Sequence, residues 1–281
     1  MHQNMPPPGA TVPNSGPAED EVAGLRGGSE GSDGAPPPAP EPYQLSIKRG
    51  VAAIMVHFGA QILVAILVAF YLAMMARLAG VEQASADANL PLLTVWSLWF
   101  GGALTLWWIW SNIRKFGPGF KAQLGWRPSR LPLGETIGLM VVVFLGTRVL
   151  AGVYASLVLA GGGDPVSGQA EQLIAQAGDG GSPLLVVGMM GATMFVAPVL
   201  EELVFRGYLQ SALARRLPAW GAIAITAAAF ASVHGSLMLW PIYFMIGAGL
   251  GWVFDRTGSL GAAIGLHMGN NIIFSLVALM G

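Results

Sequence analysis

Long apolar segments dominate the sequence and restrict what the chain can fold into. Seven of them follow one another, over approximately residues 51–76, 91–112, 137–161, 184–206, 219–234, 237–254 and 259–280. Most are long enough for a bilayer-spanning helix, which needs about 20 apolar residues. Because every backbone polar group in lipid must be hydrogen-bonded within the chain, helices are the default structure. The sequence shows no strand-like alternation, so it predicts an all-α membrane bundle.

The expected fold is a polytopic membrane helical bundle with about seven transmembrane helices, within a range of about six to eight. The fifth and sixth segments are short and separated only by residues 234–236 (HGS). They form either two spans or a re-entrant hairpin. Composition agrees with the membrane class, because charged residues make up 10% of the chain against about 25% in soluble domains. The absence of cysteine excludes disulfides and thiolate sites.

The N-terminal region differs from the rest of the chain. Residues 1–46 are rich in Pro, Gly, Ser and acidic residues and nearly lack large apolar ones. Such a segment cannot bury enough apolar surface to offset its ordering entropy. It also lacks the basic start and apolar core of a signal peptide. We therefore expect a disordered tail at 1–46, followed by a transmembrane helical domain at 47–281.

Basic residues are distributed unevenly among the connections between segments. They lie before the first segment, after the second and after the fourth: Lys48, Arg49, Arg114, Lys115, Lys121, Arg127, Arg130, Arg215 and Arg216. The third-to-fourth connection instead carries acidic residues and no Lys or Arg: Asp164, Glu171 and Asp179. The positive-inside rule predicts a cytoplasmic N-terminus, with the acidic connection outside. We expect an integral, multi-pass protein of the cell (inner) membrane.

Four charged residues interrupt the apolar segments: Arg148, Glu201, Glu202 and Arg206. A charge at the bilayer centre costs at least about 2.5–3.5 kcal/mol, so such residues normally face a bundle interior or a wet cavity and mark function. Glu202 and Arg206 are four residues apart and can pair on one helix face, whereas Glu201 is rotated from Glu202 by about 100°. The alternative is a solvated helix end. For Arg148 we expect a structural ion pair.

The histidines add further polar groups to the apolar segments. His57 is alone in the first segment and is expected to be a hydrogen-bonded packing residue. His234 and His267, taken singly, are open between structural and functional roles. An antiparallel arrangement of the fourth and fifth segments brings His234 to the level of Glu201, because both lie 16 residues from the turn at Leu217–Pro218, roughly 24 Å along a helix.

Together these side chains are suited to adding water to a carbonyl group. The carboxylate of Glu201 or Glu202 can take a proton from water. The imidazoles of His234 and His267 can hold a metal ion or position the water. The amide of Asn271, one turn after His267, can stabilise an oxyanion. The zincin pattern H-E-x-x-H is absent, so a metal site has to be assembled across helices.

Three short motifs occur in order on successive apolar segments. They are EELVFR at 201–206, FASVH at 230–234 and HMGNN at 267–271. In this order they resemble the Glu-Glu-x-x-x-Arg, Phe-x-x-x-His and His-x-x-x-Asn motifs of the CAAX protease and bacteriocin-processing family of intramembrane endopeptidases, which includes the type II CAAX prenyl endopeptidases. The resemblance covers about residues 184–280, which we interpret as the catalytic core.

The resemblance implies a catalytic set on three segments: Glu201, Glu202, His234, His267 and Asn271. In this set Glu201 is the general base, and Glu202 is its partner, which orients a histidine or is held by Arg206. The two histidines bind a metal or position water. Asn271 donates to the oxyanion. The adjacent Asn270 has the same side chain but does not occupy the Asn position of the His-x-x-x-Asn motif.

The same resemblance leaves the cofactor open. It allows a divalent metal such as zinc, with Glu201, His234 and His267 as ligands, and it equally allows a metal-independent glutamate mechanism. Arg206 and Phe230 are implied as structural support.

The sequence leads to one main hypothesis, an intramembrane endopeptidase that hydrolyses a peptide bond of a membrane-associated or lipidated substrate with glutamate-activated water. The expected partners are membrane lipid and a peptide or protein substrate, prenylated in some cases, and not nucleic acid. One alternative is a non-catalytic membrane binding or immunity protein that uses the same cavity. Another is a proton-coupled or metal-ion transporter, although the paired broken helices of two repeated halves are not evident.

Overall fold

The computed structural model describes residues 43–80, 86–163 and 183–280. Most of the expected tail lies outside these residues, as do Asp164, Glu171 and Asp179 of the acidic connection. The last four residues assigned to the tail lie against the bundle, because Leu45 is a large apolar side chain and is buried in the core. The disorder of the rest of the tail and the sidedness of the chain remain predictions.

Eight helices make up most of the described residues. They are α1 (Ile47–Ala79), α2 (Ala86–Trp96, continued by the π-helical Ser97–Gly101 and by Gly102–Phe116), α3 (Pro118–Gln123), α4 (Leu133–Ala160), α5 (Pro183–Leu213), α6 (Ala219–Ser232), α7 (Trp240–Thr257) and α8 (Leu260–Met280). No strand occurs within the three described ranges. All seven apolar segments of the sequence are helical, so the prediction of an all-α helical bundle is confirmed.

The helices differ in their capacity to cross a membrane. Among the described residues, four are long and apolar enough: α1, α4, α5 and the part of α2 from Pro91 to Phe116. The apolar parts of α6 and α8 are shorter, and α7 has 18 residues. The structure therefore provides four candidate spans, and a total near seven remains a prediction.

The short fifth and sixth segments form an antiparallel helical hairpin, α6 and α7, connected by residues 233–239. An ideal Cβ placed on Gly247 of α7 would lie 3.2 Å from the Cα of Ala227 on α6. One turn further along α7, the same construction on Gly251 meets Ile223 at 3.3 Å. Small residues let helix backbones approach closely, and here they hold the two short helices together.

Glycines also set the approach of α1 to its neighbours. An ideal Cβ on Gly50 would lie 2.9 Å from the Cα of Leu209 on α5, and one on Gly101 of α2 would lie 2.8 Å from the Cα of Gln61. Both distances are shorter than side-chain contacts allow. Helices α2 and α5 therefore pack on α1 with their backbones nearly in contact.

We expect Gly101→Ala to destabilise the protein by about 1–3 kcal/mol, the usual cost of overpacking. The added methyl group meets backbone atoms of Gln61, which cannot rotate away, so α1 and α2 must separate. Thermal unfolding in detergent measures the loss. Gly59→Ala on α1 is the matched control, because no atom lies within 4 Å of its ideal Cβ. Equal losses in the two variants would contradict this explanation.

Backbone hydrogen bonds fix the start of α8. The N–H of Leu260 donates to the carbonyl of Gly125 at 2.8 Å, and the N–H of Arg130 donates to the carbonyl of Thr257 at 2.8 Å. These bonds join the connection between α3 and α4 to the turn between α7 and α8. His267, seven residues after Leu260, consequently lies at a fixed height of roughly 10 Å along α8.

The largest buried cluster surrounds the second half of α5. Its members come from most of the helices and include Ala53, Ile109, Phe120, Phe205, Tyr208, Phe230 and Leu260. Because this cluster packs around α5 from several directions, the polar side chains of α5 are held at fixed positions in the core.

Candidate active site

Helix α5 carries the acidic pair in a short α-helical stretch between two π-helical segments. The π-helical residues are Ala192–Val196 and Leu203–Gln210, and the α-helical stretch between them is Ala197–Glu202. Pro198 lies in this stretch and lacks a backbone N–H, so it cannot donate the hydrogen bond of a regular helix. π-Helical turns within helices are frequent at functional sites. Helix α5 therefore presents its carboxylates where its hydrogen-bond pattern is irregular.

Glu202 is fully buried and accepts two hydrogen bonds on one oxygen. Its Oε1 accepts from Nη1 of Arg206 at 2.9 Å and from Nδ1 of His267 at 2.8 Å. The side chains of Glu202 and Arg206 are both 0% exposed. The pair expected from the four-residue spacing is thus a buried ion pair, and it reaches across to α8 through His267.

Arg206 is held from three sides. Besides its bond to Glu202, its Nη2 donates to the carbonyl of Gly247 on α7 at 2.8 Å. Its Cζ lies 4.9 Å from the centre of the Phe230 ring on α6, within the range of a cation–π interaction. Arg206 therefore links α5, α6 and α7, and it anchors the carboxylate of Glu202.

His267 lies between the two carboxylates. Because the carboxylate oxygen of Glu202 only accepts, the Nδ1–H of His267 is the donor in their hydrogen bond. The other ring nitrogen, Nε2, lies 3.8 Å from Oε2 of Glu201. This separation is too long for a direct hydrogen bond. The side chain of Glu201 is 17% exposed, whereas that of Glu202 is not exposed at all. The carboxylate of Glu202 is therefore buried and held by hydrogen bonds, whereas the carboxylate of Glu201 is accessible to solvent.

His234 lies after the end of α6 and is half-buried. Its Nδ1–H donates to the carbonyl of Phe230 at 2.7 Å. The Phe230 ring contacts both imidazoles, with ring centres 4.4 Å from His234 and 5.9 Å from His267. The structure thus connects His234 to the other site residues through Phe230.

Asn271 lies on α8 one turn after His267. Its Nδ2 donates to the carbonyl of Thr193 at 2.9 Å, and its Oδ1 accepts from Nδ2 of Asn270 at 3.3 Å. Thr193 belongs to the first π-helical segment of α5. The amide of Asn271 is therefore oriented by the irregular part of the helix that carries the carboxylates.

The structure brings the sequence-predicted residues together to different degrees. Glu201, Glu202 and His267 form one contiguous group. The sequence also predicts a metal site with Glu201, His234 and His267 as ligands. The described part of the chain contains no cluster of three or more His, Asp or Glu side chains suited to a metal ion. The described residues therefore show no assembled metal site; the divalent metal stays a prediction, and we derive no step through a metal.

Two polar residues of the apolar segments have contacts of their own. His57 is 1% exposed; its Nε2 lies 2.9 Å from Nε2 of Gln61, and its Nδ1 lies 3.4 Å from Oγ1 of Thr105. This is the hydrogen-bonded packing role expected for it. The guanidinium of Arg148 lies 4.6 Å from the centre of the Phe274 ring, so an aromatic contact contributes to its environment.

Three residues near the site were not singled out from the sequence. Pro198, three positions before Glu201, was a visible signal for a break in α5. Thr193 orients Asn271 through its backbone carbonyl, which no sequence pattern indicates. Tyr243 stacks on His234 with ring centres 4.2 Å apart, and its only signal was an aromatic side chain shortly after the second motif.

Comparison with known protein families agrees with this geometry. A family model described as type II CAAX prenyl endopeptidase Rce1-like matches residues 183–273. No curated protein and no solved structure matches the sequence. The matched range contains both carboxylates, both histidines and the asparagine of the site. Among the described residues, four helices are long and apolar enough to span a bilayer. The chain is therefore an integral membrane protein, and its residues 183–273 match the Rce1-like domain of the type II CAAX prenyl endopeptidases, a family of intramembrane peptidases.

Proposed function

We propose that this protein is an intramembrane endopeptidase that hydrolyses a peptide bond with water activated by Glu201. The observation that carries the proposal is the pairing of an accessible carboxylate with an anchored imidazole. Oε2 of Glu201 lies 3.8 Å from Nε2 of His267, and the opposite nitrogen of that ring is bonded to the buried Glu202.

In the proposed reaction, Glu201 removes a proton from a water molecule while the water oxygen attacks the carbonyl carbon of the peptide bond. The carbonyl π electrons move to oxygen and give a tetrahedral oxyanion. When this intermediate collapses, the C–N bond breaks and the proton held by Glu201 passes to the leaving amine. The products are a new carboxyl terminus and a new amino terminus, and Glu201 returns to its starting state.

Glu201 is better suited than Glu202 to act as this base. A general base must reach water, and of the two carboxylates Glu201 is partly exposed whereas Glu202 is fully buried. Oε1 of Glu202 already accepts hydrogen bonds from Arg206 and His267. Glu202 instead holds His267 in the tautomer with hydrogen on Nδ1, as a carboxylate does in other carboxylate–histidine pairs. The lone pair on Nε2 then faces Glu201 and can accept a hydrogen bond from the same water.

The remaining motif residues have complementary roles in the proposal. Asn271 has a second amide hydrogen besides the one donated to Thr193, and we assign it to the oxyanion. His234 has its Nδ1–H committed to Phe230, so its Nε2 presents a lone pair and can orient water or the substrate amide. Arg206 and Phe230 support the site without contacting the reacting atoms.

The proposal also covers substrate and orientation. A site within membrane helices favours a membrane-associated or lipidated peptide, prenylated in some cases, as the substrate class. The basic connections favour a cytoplasmic N-terminus and a site open towards the cytoplasmic leaflet of the cell membrane. Both statements go beyond the family assignment of residues 183–273.

We expect purified protein in detergent or liposomes to cleave members of a library of prenylated and unprenylated membrane-anchored peptides, and we expect cleavage to survive a metal chelator. Mass spectrometry of the products locates the bond. Loss of cleavage with chelator and its return with zinc would replace the metal-free mechanism by a metal-dependent one, for which Glu201, His234 and His267 are the ligands expected from the sequence. Binding without cleavage by a folded protein would favour the non-catalytic binding protein.

A further inference from the structure

We infer that Tyr243 is a positioning residue that holds the imidazole of His234 in a fixed orientation for the peptidase reaction. The inference rests on the proposed function and adds a residue that lies outside the three sequence motifs. It is carried by a ring stack between Tyr243 of α7 and His234, the second residue after the end of α6. The ring centres of Tyr243 and His234 are 4.2 Å apart, and their planes are inclined by 27°.

The imidazole of His234 has a second aromatic neighbour. The Phe230 ring centre lies 4.4 Å from that of His234, with an angle of 46° between the planes. The backbone carbonyl of Phe230 accepts a hydrogen bond from Nδ1 of His234 at 2.7 Å. Two aromatic contacts and one hydrogen bond restrict rotation of the ring. The direction of its free nitrogen, Nε2, is therefore set by Phe230 and Tyr243 together.

Tyr243 lies on the face of α7 that packs against α6. Tyr243, Gly247 and Gly251 are spaced by four residues and lie along one helix face. The glycines meet α6 at close range, as shown by the 3.2 Å from an ideal Cβ on Gly247 to Ala227. The same register places Tyr243 opposite Ala231, in the last turn of α6, which ends at Ser232. The Tyr243 ring therefore lies beside the end of α6, where it stacks on His234.

The stack matters for chemistry because reaction rates depend steeply on orientation. His234 has only one nitrogen available, since Nδ1 is committed to Phe230. A displacement of about 1 Å in a catalytic group can lower a rate by roughly 100-fold. Removing the Tyr243 ring leaves the hydrogen bond to Phe230 in place but opens one side of the imidazole.

The test compares three variants of the full-length protein in detergent. Tyr243→Met removes the ring plane and keeps an unbranched apolar side chain of similar length. Tyr243→Phe keeps the ring and removes the hydroxyl group. Phe244→Met is the matched control, because Phe244 stacks on Trp240, with ring centres 5.2 Å apart, on the same helix. Thermal unfolding establishes that each variant is folded.

We expect Tyr243→Met to lower kcat for peptide cleavage roughly 10- to 100-fold, with KM close to that of the wild type. Tyr243→Phe is expected to keep most of the wild-type kcat, and Phe244→Met is expected to retain all of it.

A second measurement does not require activity. Ring ¹⁵N NMR of His234, identified with His234→Gln among the four histidines, reports the tautomer and its exchange. We expect one fixed tautomer in the wild type and exchange broadening in Tyr243→Met.

Wild-type kcat together with an unchanged His234 spectrum in Tyr243→Met would overturn the inference. Equal losses in Tyr243→Phe and Tyr243→Met would overturn it as well, because the hydroxyl group and not the stack would then be responsible. A wild-type protein that cleaves no peptide would refute the proposed function. In that case the NMR comparison still tests whether Tyr243 orients His234.

Discussion

Glu201→Gln is expected to lower kcat for peptide cleavage by about 10²–10⁴-fold, the usual contribution of a positioned general base. Glutamine has the same shape as glutamate but cannot take the proton of the attacking water. KM is expected to change little, because the substitution acts on the water and not on the peptide. Single-turnover cleavage of a peptide identified in the library measures the change directly.

The structure supplies a control for this experiment. Glu201 is partly exposed and makes no ion pair within 3.5 Å among the described residues, so its neutralisation should leave the unfolding temperature close to that of the wild type. Glu135→Gln replaces an exposed carboxylate in the first turn of α4 and should leave kcat unchanged. Full activity in Glu201→Gln would contradict the mechanism and move the role of base to another group.

Arg206→Met is expected to destabilise the protein by about 3–5 kcal/mol, the cost of leaving one partner of a buried ion pair without the other. The side chains of Arg206 and Glu202 are both 0% exposed. Water therefore cannot solvate the Glu202 carboxylate that is left without its partner. The variant also loses the hydrogen bond to Gly247 and the contact with the Phe230 ring. Denaturant or thermal unfolding in detergent measures the change.

A double variant separates the charge from these other contacts. Glu202→Gln with Arg206→Met removes both charges, and it should recover a large part of the stability lost in Arg206→Met alone. Arg216→Met at an exposed position is the control and should stay within about 0.5 kcal/mol of the wild type. A double variant as unstable as Arg206→Met would show that the hydrogen bond and ring contact dominate.

Features governed by local rules could be predicted from the sequence. The seven apolar segments are helices because lipid leaves the backbone no other way to satisfy its polar groups. The ion pair between Glu202 and Arg206 follows from the helical repeat, which places residues four apart on one face. The motif order also selected the helices that meet at the site, since α5, α6 and α8 contribute its side chains.

Features that depend on contacts between distant helices could not be predicted in this way. The bond from Asn271 to Thr193 joins residues 78 positions apart, and the bond from Arg206 to Gly247 joins residues 41 apart. The equal helical height estimated for Glu201 and His234 gave no indication that Phe230 would connect the site's two imidazoles. Pro198 marked a break in α5 but not the form of the π-helical segments on either side of it.

The placement of the ion pair within a single helix has a consequence for biosynthesis. Glu202 and Arg206 enter the membrane on the same segment and can neutralise each other before α6, α7 and α8 have been synthesised. Gly247 follows 41 residues after Arg206, and His267 follows 65 residues after Glu202. Glu201 is therefore the one acidic or basic side chain of α5 without a partner on the same helix. The later arrival of α7 and α8 completes the hydrogen bonds of the Glu202–Arg206 pair.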